Sequence, residues 1–268
     1  MTFSNKKLLI VDGHNLLFKS FFGIPAFKSR HGKYVHGIVG FLGMLRKIIN
    51  LSKCEYCHVV FDGEQVSERK KKDNTYKANR IDYNKVHDSE NPFTQLDSIQ
   101  RVLTYLKISW VETKFGQEAD DLIATIVAQE KKMDKVISSF DSDFFTLLES
   151  HTKILRYRGK KSYFVDRDWV FQKYGVEPED FSRFKSIVGD SADNIKGISG
   201  FGPVIARKVL SGERRLTAEE EKQMKFCLEL ILFNKKIKYK LPPKKKISIP
   251  NNLLEIKMNE ILESLDIL

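Results

Sequence analysis

Lys7-Leu8-Leu9-Ile10-Val11-Asp12-Gly13 decides the fold: a short run dominated by aliphatic residues, closed by an acid and a glycine. An apolar run of this length without polar alternation predicts a strand covered on both faces, and such strands belong to parallel sheets. The pattern returns at Cys57-His58-Val59-Val60-Phe61 before Asp62-Gly63, and at Lys135-Val136-Ile137-Ser138-Ser139-Phe140 before Asp141. Helical periodicity lies between these runs, near 37–50, 93–107 and 118–131. Strands alternating with helices predict an α/β fold with a mostly parallel sheet flanked by helices. Lys153 to Tyr157 and Ser162 to Val165 flank Arg158-Gly159-Lys160-Lys161, which reads as a hairpin turn. After Asp166 the composition turns to helices and glycine loops, so the expected division is 1–165 and 166–268.

The chain has 268 residues, 41% of them hydrophobic and 11% aromatic, which excludes a disordered polymer. Its 46 basic against 35 acidic residues leave a net charge of +11, which favours a polyanionic partner, nucleic acid first. No apolar run approaches the roughly 18 residues of a membrane span, and 1–7 lack the apolar core of a secretory signal. A cytoplasmic protein away from membranes is expected. Three cysteines are too few and odd in number for a disulfide framework. Cys54-Glu55-Tyr56-Cys57 has redox-motif spacing, yet a strand follows it and no second pair completes a zinc site. Gly197, Gly200 and Gly202 follow no strand, so a dinucleotide loop fails on context, and no Walker lysine occurs.

The acids are more telling. Asp12, Asp62 and Asp141 each follow an apolar strand, which in a parallel sheet gathers them at the carboxyl edge where such folds bind ligands. Asp141 and Asp143 are two apart and can point the same way. Glu118-Ala119-Asp120-Asp121 crowds a helix start, where capping and the helix dipole are the ordinary reason for acids. Glu118 and Asp121 can share a helix face; Asp120 joins them only if Glu118 lies at or before the cap. Asp190 and Asp193 add two acids at i, i+3. Carboxylates converging in a basic protein repel one another unless cations neutralise them, and oxygen-only ligands select Mg²⁺ or Mn²⁺ over zinc. A phosphodiesterase using paired metals about 4 Å apart follows.

Asp12-Gly13-His14-Asn15-Leu16, Phe61-Asp62-Gly63, Tyr76-Lys77-Ala78-Asn79-Arg80, Glu118-Ala119-Asp120-Asp121, Asp141-Ser142-Asp143 and Gly189-Asp190-Ser191-Ala192-Asp193-Asn194 stand in an order that resembles the 5′ nuclease family. That family includes flap endonucleases and the 5′–3′ exonuclease domain of bacterial DNA polymerase I. The resemblance covers about 6–212, and the chain is too short to hold a polymerase as well, so it looks like a stand-alone member. It implies a PIN-like sheet, a helical arch over about 64–91 and a helix-hairpin-helix module over about 186–212, cutting DNA at a 5′ flap, a nick or a single-stranded 5′ end as a monomer. It further implies that Asp12, Asp62, Glu118, Asp120 and Asp141 hold a first metal with Asp121 nearby, and that Asp143, Asp190 and Asp193 hold a second.

Within the implied arch, Lys77 and Arg80 share a helix face by spacing and would bind the scissile phosphate, Tyr76 offers a surface to an unpaired base, and Arg69 aligns with an arch arginine. Departures from the family are Glu68 for an aromatic, Lys71 for an acid, and Lys19 for an arginine that contacts a phosphate. In the implied hairpin, Gly200 and Gly202 let the backbone approach DNA, and the carbonyls of Ile187, Val188, Lys196, Ile198 and Phe201 match a K⁺ site of relatives. The basic run 244–246 and a short helix near 251–264 complete the chain. Two rival readings are a non-catalytic DNA-binding module, which would gain nothing from clustered acids, and a PIN-type ribonuclease, which usually lacks the hairpin.

Overall fold

The computed structural model describes residues 6–63, 67–114, 116–249, 260, 262, 263, 266 and 267. Its centre is a six-stranded sheet in the order β3-β2-β1-β4-β5-β6, formed by β1 (Lys7–Asp12), β2 (Tyr56–Phe61), β3 (Ser109–Glu112), β4 (Asp134–Ser138), β5 (Thr152–Arg156) and β6 (Tyr163–Val165). Only β6 runs antiparallel, paired to β5 as the expected hairpin. The others are parallel, with β1 flanked by β2 and β4.

Alternation along each strand separates two apolar layers. Leu8, Ile10, Ile137 and Ile154 join one buried cluster, while Leu9, Val11, Val136 and Leu155 join another on the opposite face. The second layer is closed by α1 (Gly13–Phe22), α2 (His36–Ser52) and α4 (Leu96–Tyr105). The first is closed by α5 (Ala119–Gln129), α6 (Arg167–Tyr174), α7 (Phe181–Val188), α8 (Pro203–Leu210) and α9 (Ala218–Ile231). Burying both faces is what makes the strands read as continuous apolar runs. The helices beyond 166 share this core with the sheet: Val170, Phe184, Ala206 and Met224 belong to the same cluster as Leu8.

Thr217 and Glu220 close a capping box that starts α9, which lies within the stretch beyond 166 expected to hold helices. The chain after α9 returns to the amino end of the sheet. Cys57 N donates to Ile247 O at 2.7 Å, Ile249 N donates to Glu55 O at 3.0 Å, and the Tyr239 hydroxyl lies 2.8 Å from His58 Nε2. The short helix expected near 251–264 lies largely outside the described residues. Cys54, Cys57 and Cys227 are free and buried; burial pushes the Cys54 thiol up to about 11 and Cys57 higher, which removes both from thiolate chemistry. Among the described residues no helix is long and apolar enough to cross a membrane.

Candidate active site

Three strands end in acids at the same edge. Asp12 closes β1 and caps α1, accepting from Asn15 N at 3.0 Å and from Ser139 Oγ at 2.8 Å. Asp62 follows β2; its Oδ1 accepts from Ala119 N at 2.6 Å, which ties the start of α5 to the strand, and its Oδ2 lies 3.1 Å from His14 Nδ1. Asp141 follows β4, and its Oδ1 accepts from Asp143 N at 2.8 Å. Asp120, in the first turn of α5, completes the group.

The charges confirm the crowding. Asp12 is pushed up to about 6, first by burial and then by the charges of Asp62 and Asp141. Asp120 is held well above the carboxylate range by burial and by Asp141, Asp12 and Asp62. Burial also works to raise Asp62, but His14, the Ala119 N–H and Lys77 outweigh it and hold this carboxyl low. Repulsion of this kind is relieved by a divalent cation, and a donor set of carboxylate oxygens fits Mg²⁺ or Mn²⁺.

A second group adjoins the first. Ligand oxygens of Asp143, Asp190 and Asp193 lie within 4.8 Å of one another. Lys185, on α7 and buried, bonds both Asp143 and Asp190. Asp143 is nonetheless pushed up to about 7, by burial first and Asp141 next. Sequence reasoning passed over Lys185. Its signal was a single lysine among Phe181, Phe184 and Val188 on the helical face that the spacing makes apolar.

Glu118 is the N-cap residue of α5, and this sorts the acids of that turn differently from the ligand set expected for them. Asp120 turns to the first group. Asp121 does not: Arg69 grips it through two bonds of 2.6 and 3.1 Å, and Asn234 N donates to it at 2.8 Å. Its two oxygens are engaged by the arch and the segment after α9, so in this structure Asp121 serves as a tether and does not turn to the first group. Glu118 likewise serves the arch here, 3.0 Å from Arg69 and 2.8 Å from Lys77, and these cations overcome burial to hold its carboxyl low.

The arch itself differs from the expectation in two respects. Lys77 and Arg80 do not share a helix face: the only α-helix described between 67 and 91 is α3 (Glu68–Lys72), 74–79 form turns, and Lys77 has φ 54°. Tight contacts to the body replace helical hydrogen bonding there, as Lys77 N donates to Asp193 O at 3.0 Å and Asn194 Nδ2 to Thr75 O at 2.8 Å. Tyr76 offers no surface to a base, being 3% exposed. Its ring packs with Ile195, Cys227, Leu230 and Ile231, and its hydroxyl donates to Glu118 and Asp193, both at 3.3 Å. Arg80 reaches Asp193 at 2.8 Å. Lys72 pairs with Glu229 of α9. The arch cations therefore lie down onto the acids.

In the loop between α7 and α8, a Cβ at Gly197 would lie 2.5 Å from Ile187 O, so two backbone passes meet there with no room for a side chain. Gly200 has φ 77° and needs glycine; Gly202 has φ −89° with open space around it, so its conformation makes no such demand. Of the five carbonyls matched to a K⁺ site, Ile187 O already accepts from Ile198 N at 2.8 Å and Ile198 O from Phe201 N at 3.1 Å. Lys19 lies on α1, its ammonium bonded to Tyr157 O and set over the Phe140 ring.

Residues 7–175 match the family model of the 5′-3′ exonuclease N-terminal, resolvase-like domain. Curated relatives include the thermostable DNA polymerase I of Thermus thermophilus, 30% identical over 206 residues, covering 76% of this chain and 24% of the polymerase. A 5′-3′ exonuclease of Aquifex aeolicus is 31% identical over 208 residues, covering 76% of this chain and 69% of the relative. The chain thus spans about a quarter of the polymerases it matches. Among solved structures, the bacteriophage T5 flap endonuclease in a pseudo-enzyme-product complex with DNA and metal ions superposes with a TM-score of 0.65 over 98% of both chains at 19% identity. The catalytic core of Rad2 with DNA substrate gives 0.52 over 85% of this chain and 75% of that one at 17% identity. At these identities the structures establish the fold, a PIN-like one, and the match of the family model over most of the sheet and its acids makes this chain a member of the 5′-3′ exonuclease family.

Proposed function

We propose that the chain is a structure-selective 5′–3′ exonuclease and 5′-flap endonuclease that hydrolyses DNA phosphodiester bonds with two divalent metal ions, Mg²⁺ or Mn²⁺, in primer removal or repair. The observation that carries this reading is the pair of adjoining carboxylate groups at one sheet edge, roofed by basic side chains of the arch. Asp12, Asp62, Asp120 and Asp141 would hold one ion and Asp143, Asp190 and Asp193 the other. Bound there, such ions supply an activated water and stabilise the leaving oxygen of an in-line displacement at phosphorus.

The rest is the work of this chain. Ser139 and Asn15 N fix the Asp12 carboxylate, and Asp141 Oδ1, by accepting from Asp143 N, locks the two acid groups in register. Lys77 and Arg80 exchange their carboxylate partners for the scissile phosphate, and their charge then opposes what accumulates on its oxygens as the bond breaks. The net charge of +11 and the hairpin before α8 hold duplex DNA without reading bases, with a K⁺ ion at the hairpin carbonyls as a further element of the proposal. The enzyme acts as a monomer.

The deciding assay compares flap DNA, nicked duplex DNA and RNA, with and without Mg²⁺, for the intact chain and for Asp141→Asn. Metal-dependent cutting of DNA, abolished in the variant while DNA affinity is kept, is expected. Binding without cutting under all conditions would make the chain a DNA-binding module, and cutting of RNA alone would make it a ribonuclease.

A further inference from the structure

The carboxyl edge of the sheet changes sign along its length. β2, β1 and β4 run into Asp62, Asp12 and Asp141, whereas β5, next to β4, ends in Arg156 and leads on to Arg158. Lys19 of α1 reaches the same place. All three cations surround the ring of Phe140, the residue before Asp141: Lys19 Nζ lies 3.5 Å from its centroid, Arg158 Cζ 5.2 Å and Arg156 Cζ 5.8 Å.

What this trio lacks among the described residues is an acid. Lys19 donates to Tyr157 O and Arg156 Nη2 donates to Phe140 O at 3.1 Å, both of them backbone carbonyls. Among the described residues no carboxylate lies within ion-pair distance of Lys19, Arg156 or Arg158. The arch cations Arg69, Lys77 and Arg80, by contrast, are all paired with acids. Arg156 is 8% exposed, and its Nε is a buried nitrogen with no hydrogen-bond partner. Burial first, and the charge of Arg158 second, push the Lys19 ammonium down to about 8. Gathering like charges around one ring, with a buried donor left over, is unfavourable until an anion joins them.

We propose that Arg156 and Arg158 join Lys19, at the position where the resemblance already implies a phosphate contact, in a phosphate-binding site over Phe140 that takes a phosphate next to the scissile one on the strand being cut. The inference rests on the nuclease reading and adds to it. β4 and β5 are neighbouring strands roughly 5 Å apart, so a phosphate over the trio adjoins one over Asp141. The arch leaves from β2 on the far side of the acids, and the cut strand is thereby held from both sides of the chemistry. A phosphate monoester at a 5′ end and an internal diester present the same oxygens to these forks.

Substrates with one uncharged methylphosphonate linkage, moved stepwise across the cut, distinguish the phosphates. Affinity is measured without divalent metal so that no DNA is consumed, for the intact chain and for Arg158→Ala, whose exposed side chain leaves folding unaffected. Arg158→Ala is expected to bind fully charged DNA about tenfold more weakly. At one linkage adjoining the cut, neutralisation weakens the intact chain about as much and the variant no further. If the same coupling appears instead between 5′-phosphate and 5′-hydroxyl ends, the site holds a terminal monoester. Lys19→Met repeats the measurement independently. Losses that multiply at every linkage and at both kinds of end in both variants overturn the site. Should the intact chain cut DNA normally in that case, the nuclease reading stands; should it neither bind nor cut DNA, that reading falls instead.

Discussion

Replacing Arg69 with alanine tests whether the arch is held by charge. The guanidinium makes two bonds to Asp121, lies 3.0 Å from Glu118, and donates to Leu232 O at 2.9 Å, so one side chain joins the arch, the start of α5 and the chain after α9. The ion-paired side chains are about a tenth exposed. Removing one partner from a buried pair typically costs about 3–5 kcal/mol, because the other charge stays desolvated. Here Lys77 still pairs with Glu118 and Asn234 N with Asp121, which places the loss at the low end, about 3 kcal/mol. Both acids regain water when the arch lifts, so the loss falls on the closed arch, and about 3 kcal/mol raises the open population roughly 10²-fold. Amide exchange over 68–78 is the assay: Arg69→Ala should accelerate it by about that factor while amides of β1 and β4 keep their protection. The double variant with Asp121→Asn should recover part of the loss, since a neutral amide needs no counter-ion. Acceleration below about threefold would refute the tether, and so would equal acceleration throughout the sheet.

Lys77→Ala is expected to lower single-turnover cleavage by on the order of 10²-fold or more with a smaller change in DNA affinity; equal losses in both would make Lys77 an ordinary phosphate contact. Gly202→Val should fold normally, because nothing lies within 4 Å of a Cβ there, yet lose affinity for duplex-containing flaps more than it loses cleavage of short single strands, compared at one salt concentration. Burial pushes the His58 imidazole down to about 4, so the folded state releases a proton that the unfolded chain holds below its ordinary value. Stability from this group is therefore complete above about pH 6.5 and lost as the pH falls towards 4; His58→Gln should flatten a denaturation profile over that window, and an unchanged slope would exclude the cause.

How much of this was legible in the sequence depends on what each residue has to satisfy. β1, β2 and β4 announce themselves because both of their faces are buried, and the acid after each strand follows from the topology. β3 sits at the sheet edge with all four residues half-buried, and Ser109-Trp110-Val111-Glu112 carries no continuous apolar run to mark it. The acids of α5 show where spacing stops. Asp120 and Asp121 are adjacent in the chain but face different partners, and only the position of Arg69 tells them apart. Tyr76 and Lys77 lie in a run that helical spacing fits, while the contacts with Glu118 and Asp193 that shape it come from segments distant in sequence. Lys185 needed the fold as well, since nothing near it in the chain names Asp143 as its partner.

The return of the chain to the amino end of the sheet bears on the order in which the molecule is assembled. Tyr239 and His58 are 181 positions apart, and Ile247 meets Cys57 across a similar span. Closing loops of that length is entropically late, and contacts of such separation slow folding more than local ones do. The acids from Asp12 to Asp193 all precede this closure along the chain. The acidic edge thus draws on earlier parts of the chain than the pairing at the opposite end, and these late contacts are expected to add to the barrier to folding more than the local ones do.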